Sequence, residues 1–358
     1  MKNKIKKPMA IIVTDTHLTK DNGELVKSIY NQIIKIAKER GIEYIFHAGD
    51  VFTCRSGQPL SCLTDWKEIS EKVRKAGIRE HEIPGNHDKT DADDERSYLD
   101  MYVSINKTVH KKGEVMILSE DMIVAFIPYF HDEKWLEEYN NVCEIVDSMF
   151  IEKDVNKDCK TILITHSGFD GVMNNDGTSV SSIIKPSMFK DWDKVLIGHY
   201  HNASKLADNV IYIGSAYQNN YGETITDKGC HIIYDDASLE FIPLKFPKYI
   251  KEVIDVNDKD TLRNLIEKYN GESYDNIRFI FRGNKSDASK VDLSELAKLG
   301  IDAKFEAIES EEAMLLSETD TIMVCDKKTI IRDFTKFCSE NKIRGKHLQY
   351  GLKLIKSL

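Results

Sequence analysis

Apolar residues run almost unbroken over residues 8–14 and dominate 42–47, a third stretch from Ile78 to Ile83 keeps them only at its two ends, and between these stretches they return every three or four positions. The first pattern predicts buried strands and the second amphipathic helices. One helix is expected from about Leu25 to Arg40, on a stripe of Leu25, Ile29, Ile33, Ile34 and Ile36; a second is expected from about Leu60 to Lys75. Gly41 and Gly77 stand where each would stop. This β-α-β-α-β rhythm predicts a largely parallel sheet whose strands end on one common edge, where sites of such architectures lie.

Further on, the pattern predicts a helix over 94–106, short strands at Val115–Leu118 and Ile123–Ile127, and an acidic helix over about 132–149. Strands resume at 161–165, 194–197 and 210–213, and β-rich stretches at 229–234 and 239–245 complete a first domain, 1–245. The Gly/Asn/Ser-rich loop from Gly168 to Ser182 is long enough to border a substrate cleft. A boundary near Pro243 to Pro247 opens a small α+β domain, 246–326. It reads as strand 249–254, helix 259–269, strand 277–282, helix 292–299 and strand 302–306, while 309–328 show no clear pattern. In the tail, 327–358, Ile330, Ile331, Phe334 and Phe337, then Leu348, Leu352 and Ile355, recur at helical spacing among Lys and Arg. That is the pattern of a basic amphipathic helix.

The 358 residues suffice for one large domain and a smaller one. No apolar run approaches the roughly 18 residues of a membrane span. The basic N-terminus, Met1 to Lys7, leads into no apolar h-region and does not read as a signal peptide. Seven scattered cysteines, none in a Cys-x-x-Cys pair, exclude a zinc ribbon and predict reduced thiols in a cytoplasmic protein. Of the net charge of −9, the tail carries +7 from nine Lys/Arg against two Asp/Glu, which leaves −16 on residues 1–326. An acidic body holds DNA weakly unless bound metal ions or a partner supply positive potential.

The chemistry is at the strand ends. Five expected strands, four of them mainly apolar, break into His, Asp or Asn: Asp15-Thr16-His17, His47-Ala48-Gly49-Asp50, Gly85-Asn86-His87-Asp88, Thr165-His166 and Gly198-His199-Tyr200-His201. Singly, Asp15 and Asp50 read as helix N-caps, Asn86 as a turn residue, and His17 or His166 as a satisfied polar group. Jointly they match a site for two divalent ions about 3.5–4 Å apart, which clamp a phosphoryl group and create a hydroxide at neutral pH. The candidate ligands are Asp15, His17, Asp50, Asn86, His166, His199 and His201, with His87 an imidazole beside the site. Their His/Asp/Asn chemistry suits manganese, iron, zinc or nickel.

In order and spacing these motifs, over residues 8–245, resemble the signature of the calcineurin-like metallophosphoesterases. The resemblance implies an α/β (α+β sandwich) fold, two β-sheets flanked by helices. It implies a first metal on Asp15, His17, Asp50 and His201, and a second on Asp50, Asn86, His166 and His199, with Asp50 bridging. His87 would protonate the leaving oxygen, with Asp88 as its supporting partner. Gly49-Asp50-Val51-Phe52, Gly214-Ser215-Ala216-Tyr217 and Tyr221-Gly222-Glu223, with the added α+β domain, look most like the SbcD-type nucleases and their phage counterparts. That likeness implies a manganese-dependent exo- and endonuclease of DNA repair. It further implies a homodimer through residues 60–76 and 94–106, with the tail holding an SMC-like (SbcC-type) ATPase.

Three positions depart from the nuclease pattern: Thr53 replaces a phosphate-contacting histidine, and Ala216 and Gln218 replace a proline and an arginine. Arg55 reads either as a replacement for the phosphate contact or, as a lone Arg in a loop, as a solvated surface charge. The alternative reading is a phosphoesterase of small nucleotides or phosphoproteins. A scaffold without activity has no physical need for seven converging ligands.

Overall fold

The computed structural model describes residues 6–307, except 105, 174–177, 224–225, 270–275, 285 and 288–292, together with Phe334, Cys338 and Leu348. The chain divides into two compact units, Met1–Lys251 with Glu272–Arg278, and Glu252–Gly271 with Phe279–Leu358.

The first unit holds two six-stranded sheets. One contains β1 (Pro8–Val13), β2 (Tyr44–His47), β3 (Arg79–Glu82), β4 (Lys107–Val109), β11 (Gly229–Tyr234) and β12 (Leu239–Pro243), in the order β12-β11-β1-β2-β3-β4. The other contains β5 (Glu114–Ser119), β6 (Met122–Ile127), β7 (Lys160–His166), β8 (Lys194–Gly198), β9 (Ser204–Lys205) and β10 (Val210–Tyr212), in the order β5-β6-β7-β8-β10-β9. Both are parallel at their centres. Both turn antiparallel toward an edge: β11 and β12, β5 and β6, and β9 and β10 are joined by short returns with no room for a crossover helix, and β11 also pairs antiparallel with β1. The expected parallel sheet is therefore two mixed sheets, and the fold is the α/β sandwich that the resemblance implies.

Side-chain alternation builds the layers. On β1, Ala10 and Ile12 enter the core between the sheets, where they meet Phe46 of β2 with Val124 and Phe126 of β6, Ile162 and Ile164 of β7, and Leu196 of β8. Their neighbours Ile11 and Val13 face the other way, toward α1 (Gly23–Arg40) and α2 (Leu60–Lys75). On the second sheet Ile123, Ala125, Leu163, Val195 and Ile197 pack with α3 (Asp132–Glu152). Strands buried on both faces explain the unbroken apolar runs in the sequence.

The helices follow their stripes. In α1 the buried side chains are Val26, Ile29, Tyr30, Ile33 and Ala37, and Gly41 ends it with φ +65°. In α2 they are Cys62, Trp66, Ile69 and Val73. The helix expected over 94–106 is instead one 3₁₀ turn, Tyr98–Tyr102. Ser97 caps it through Leu99 N–H (3.2 Å), and Ser104 and Lys107 then exchange backbone hydrogen bonds (3.0 and 3.1 Å) that turn the chain into β4. Leu99 and Tyr102 are buried, while Met101 and Val103 are exposed.

Beyond Pro247 the structure has β13 (Tyr249–Asp255), α4 (Lys259–Tyr269), β14 (Asn276–Gly283), α5 (Leu293–Lys298) and β15 (Asp302–Ala307), with a sheet in the order β13-β14-β15. The tail helix expected in 327–358 lies outside the described residues, apart from Phe334, Cys338 and Leu348. No helix among the described residues is long and apolar enough to cross a membrane.

Candidate metal centre

All the candidate side chains stand at the carboxyl ends of neighbouring parallel strands. Asp15 and His17 follow β1, Asp50 follows β2, and Asn86, His87 and Asp88 follow β3. His166 ends β7, and His199 and His201 follow β8. Two groups of ligand atoms form, Asp15 with His17 and His201, and Asp50 with His166 and His199, each within 4.8 Å of one another. Asn86 joins the second group, its Oδ1 lying 3.0 Å from His166 Nε2 and 2.9 Å from His199 Nδ1. Asp50 Oδ2 lies between the groups, 3.6 Å from His17 Nε2 and 3.4 Å from His166 Nε2.

The backbone is shaped for this convergence. Asp15, His17, Asp50 and His199 all have positive φ, between 41° and 90°, a conformation rare for residues with a side chain. Gly85 has no room for one, since a Cβ there would stand 2.2 Å from Asp50 Oδ1. Gly49, at φ +94°, would press a Cβ to 2.4 Å from His166 Nδ1.

The donor set fits divalent cations. His166 Nδ1 lies 2.8 Å from the carbonyl of Ala48 and must donate to it, so in the neutral ring Nε2 carries a lone pair. That lone pair faces two acceptors, Asn86 Oδ1 and Asp50 Oδ2. His201 repeats the arrangement: Nδ1 donates to Glu223 Oε1 at 2.7 Å, and Nε2 faces His17 Nε2 at 2.8 Å and Asp15 Oδ1 at 3.6 Å. Asp15 Oδ1 is buried without a hydrogen-bond partner. Lone pairs that converge without a proton between them are satisfied by a cation.

Charges respond accordingly. Burial opposes it, yet the Asp50 carboxylate lifts His166 to about 9, so without a cation a proton takes the Nε2 position that faces Asp50 and Asn86. Asp50 itself, despite burial, is held well below the usual carboxylate range by the His166 imidazolium. Burial lowers His17 and takes His199 to about 4.

His87 and Asp88 sit differently from one another. The His87 ring lies edge-on to His17, 5.1 Å between centroids, and its Nδ1 meets the carbonyl of Thr53. Asp88 is fully buried and accepts from the backbone N–H groups of Val51 (3.2 Å), Phe52 (2.9 Å) and Gly85 (2.9 Å). Its carboxylate thus ties the β2 turn to the β3 turn, while Thr53 supplies the His87 contact. Burial, then the nearby Asp50 carboxylate, pushes Asp88 up to about 7. Arg55 is exposed on the same loop.

Residues outside the candidate set support it. His199 lies between the rings of Tyr129 (5.9 Å) and Tyr200 (5.0 Å). Lys89, buried under Phe130, donates to the carbonyls of Tyr129 and Ala92. Glu223 and Lys228 hold His201 from outside the ligand set. These contacts arise from tertiary packing across many residues; Tyr200 and Glu223 lie within motifs quoted for the family resemblance, but their contacts with His199 and His201 are not written in spacing or periodicity.

The family profile of the calcineurin-like phosphoesterases matches residues 10–203, the span that contains every candidate ligand. Among curated proteins, the chain is 25% identical over 238 residues to exonuclease subunit 1 of Enterobacteria phage T4, covering 64% of this chain and 66% of that one. It is 24% identical over 344 residues to the DNA double-strand break repair protein Mre11 of Sulfurisphaera tokodaii, covering 88% and 84%. It is also 21% identical over 255 residues to protein 078R of Invertebrate iridescent virus 3, named only as a phosphoesterase, covering 69% of each. The chain thus spans about two thirds of the two viral relatives. With the match extending over more than half of its length, the chain belongs to the calcineurin-like phosphoesterases, metal-dependent hydrolases whose fold binds two divalent ions.

Proposed function

We propose that this protein is a two-metal-dependent DNA nuclease of the SbcD type, hydrolysing phosphodiester bonds with manganese as its preferred ion. The observation that carries this reading is the extent of the similarity to an Mre11 protein. It covers 88% of the chain, well past the phosphoesterase span of 10–203.

In this proposal the first ion is held by Asp15, His17, Asp50 and His201, and the second by Asp50, Asn86, His166 and His199. The place of Asp50 Oδ2 between His17 and His166 supports its bridging role. Two divalent ions bound there supply Lewis acidity to phosphoryl oxygens and a nucleophile at neutral pH. His87, its Nδ1–H held by the Thr53 carbonyl, delivers the Nε2 proton of its doubly protonated form to the leaving oxygen and is left as the neutral imidazole. Asp88 holds the turn that carries His87. The proposed parts are a nuclease domain, 1–245, a capping domain, 246–326, and a tail, 327–358, that docks an SMC-like ATPase.

A homodimer is part of the proposal. Leu60, Met101 and Val103, exposed at 75%, 65% and 57%, border a groove of about 540 Å³ between α2 and residues 101–104. Free cysteines, six among the described residues, support a cytoplasmic setting.

Thr53, Ala216 and Gln218 favour a second reading, a phosphoesterase of smaller substrates, because each lacks the side chain that SbcD-type nucleases carry there. Digestion of end-labelled single- and double-stranded DNA beside bis-p-nitrophenyl phosphate, all with manganese, separates the two. Cleavage of both substrate types is expected. Hydrolysis of the ester with no cleavage of any DNA would establish the second reading instead.

A further inference from the structure

His201 stands beyond the end of β8 on an irregular segment, so no strand fixes its ring. Its position depends on two groups from later in the chain. Glu223 is fully buried, and its Oε1 takes the Nδ1 proton of His201 at 2.7 Å. Lys228, also buried, donates from Nζ to the His201 carbonyl and to Asn202 Oδ1 (3.4 Å), and lies 3.7 Å from Glu223 Oε2. The imidazole is thereby held at its ring and at its backbone.

Glu223 is itself held. Asn220 Nδ2 donates to Oε1 at 3.0 Å, and Ser215 Oγ and the N–H of Asn219 donate to Oε2 at 3.2 and 3.1 Å. A carboxylate with this many donors stays ionised and in place, and it leaves the histidine one tautomer, with the lone pair on Nε2. That nitrogen faces His17 Nε2 and the unpartnered Asp15 Oδ1. A histidine whose outer nitrogen is fixed in this way is a better cation ligand, because neither tautomer nor rotation has to be selected on binding.

We infer that Glu223, braced by Lys228, is a positioning residue for His201 and sets the affinity of the Asp15–His17–His201 group for a divalent cation. This rests on the proposed ligand set and not on DNA as the substrate. A carboxylate that merely braces the 215–228 loop would change stability and leave cation affinity alone.

The test is calorimetric titration of the full-length, EDTA-stripped protein with manganese, beside thermal melting in EDTA. Glu223→Gln keeps the volume and removes the charge. It is expected to weaken one of the two binding steps by about 10- to 100-fold, leave the other within about twofold, and melt in EDTA with the wild type. Glu223→Ala is expected to lose that step altogether. His201→Ala serves as the reference and should lose the same step. If His201→Ala loses it while Glu223→Gln binds both ions as the wild type does, the inference fails and the ligand set stands. If His201→Ala binds both ions normally, the ligand set fails and the inference with it. If Glu223→Gln melts well below the wild type in EDTA, Glu223 braces the fold and the inference is likewise overturned.

Discussion

Six non-glycine residues in the described chain have positive φ, and four of them, Asp15, His17, Asp50 and His199, are candidate ligands. Such conformations cost on the order of 1–3 kcal/mol each and persist only where the surroundings over-determine them. Here the determinants are visible: Asp15 N–H and His17 N–H donate to the carbonyls of Gly49 and Asp50, which locks the β1 turn onto the β2 turn. The candidate ligands that converge here were legible in the sequence because five expected strands end in the same chemistry. Their strain was not, because it is imposed by neighbours far away in the chain. The same is true of Asp88, expected beside His87 and found bracing two turns. His87 itself has its outer nitrogen on a backbone carbonyl and lies outside both ligand groups. Its replacement by Ala is therefore expected to lower the rate by roughly 10²–10⁴-fold while both ions remain bound by elemental analysis. The loss should shrink for an ester whose leaving group needs no proton. Loss of either ion in that variant would move His87 into the ligand set.

At the scale of elements, strands with two buried faces and helices with a clean stripe were readable, since burial alone writes those patterns. The 94–106 segment was not: its apolar positions divide between the core (Leu99, Tyr102) and solvent (Met101, Val103), a division that a helical stripe does not make. Short edge strands were also hidden. β4 and β9 have three and two residues, too few for a period to show. The β11–β12 edge offers a test of electrostatics within an element. His231 of β11 packs against Phe241 of β12 (5.2 Å), its Nδ1 is buried without a partner, and burial lowers it to about 4. The folded chain keeps this ring neutral, whereas the unfolded chain protonates it near 6.5. The stability is thus present above pH 6.5 and is lost as pH falls toward about 4. His231→Phe should remove this sensitivity, gaining about 1–2 kcal/mol over wild type at pH 5 and much less at pH 7.5. Denaturant melts of both proteins in EDTA at the two pH values measure the difference. An equal shift at both would show packing rather than protonation at work.

For the whole molecule, charge and surface bear on assembly. The sequence places −16 on residues 1–326 and +7 on the tail, so the body meets anionic DNA only with help from bound cations or from a partner. The exposed apolar side chains Leu60, Met101 and Val103 belong to neither candidate ligand group. Scattered apolar side chains on a surface need no explanation, but three bordering one groove are the face on which the proposed homodimer would form. In a two-fold dimer the same patch is used by both subunits, so a small one would count twice. Sedimentation at micromolar concentration is expected to give twice the chain mass. A Leu60→Asp, Met101→Asp double variant should give the single mass, because it places charges at the centre of a dehydrated contact. Hydrolysis of a small diester should change by no more than about twofold in the variant, as the substitutions stand apart from the metal ligands. A wild-type monomer, or a variant that stays dimeric, would rule out this face as the interface.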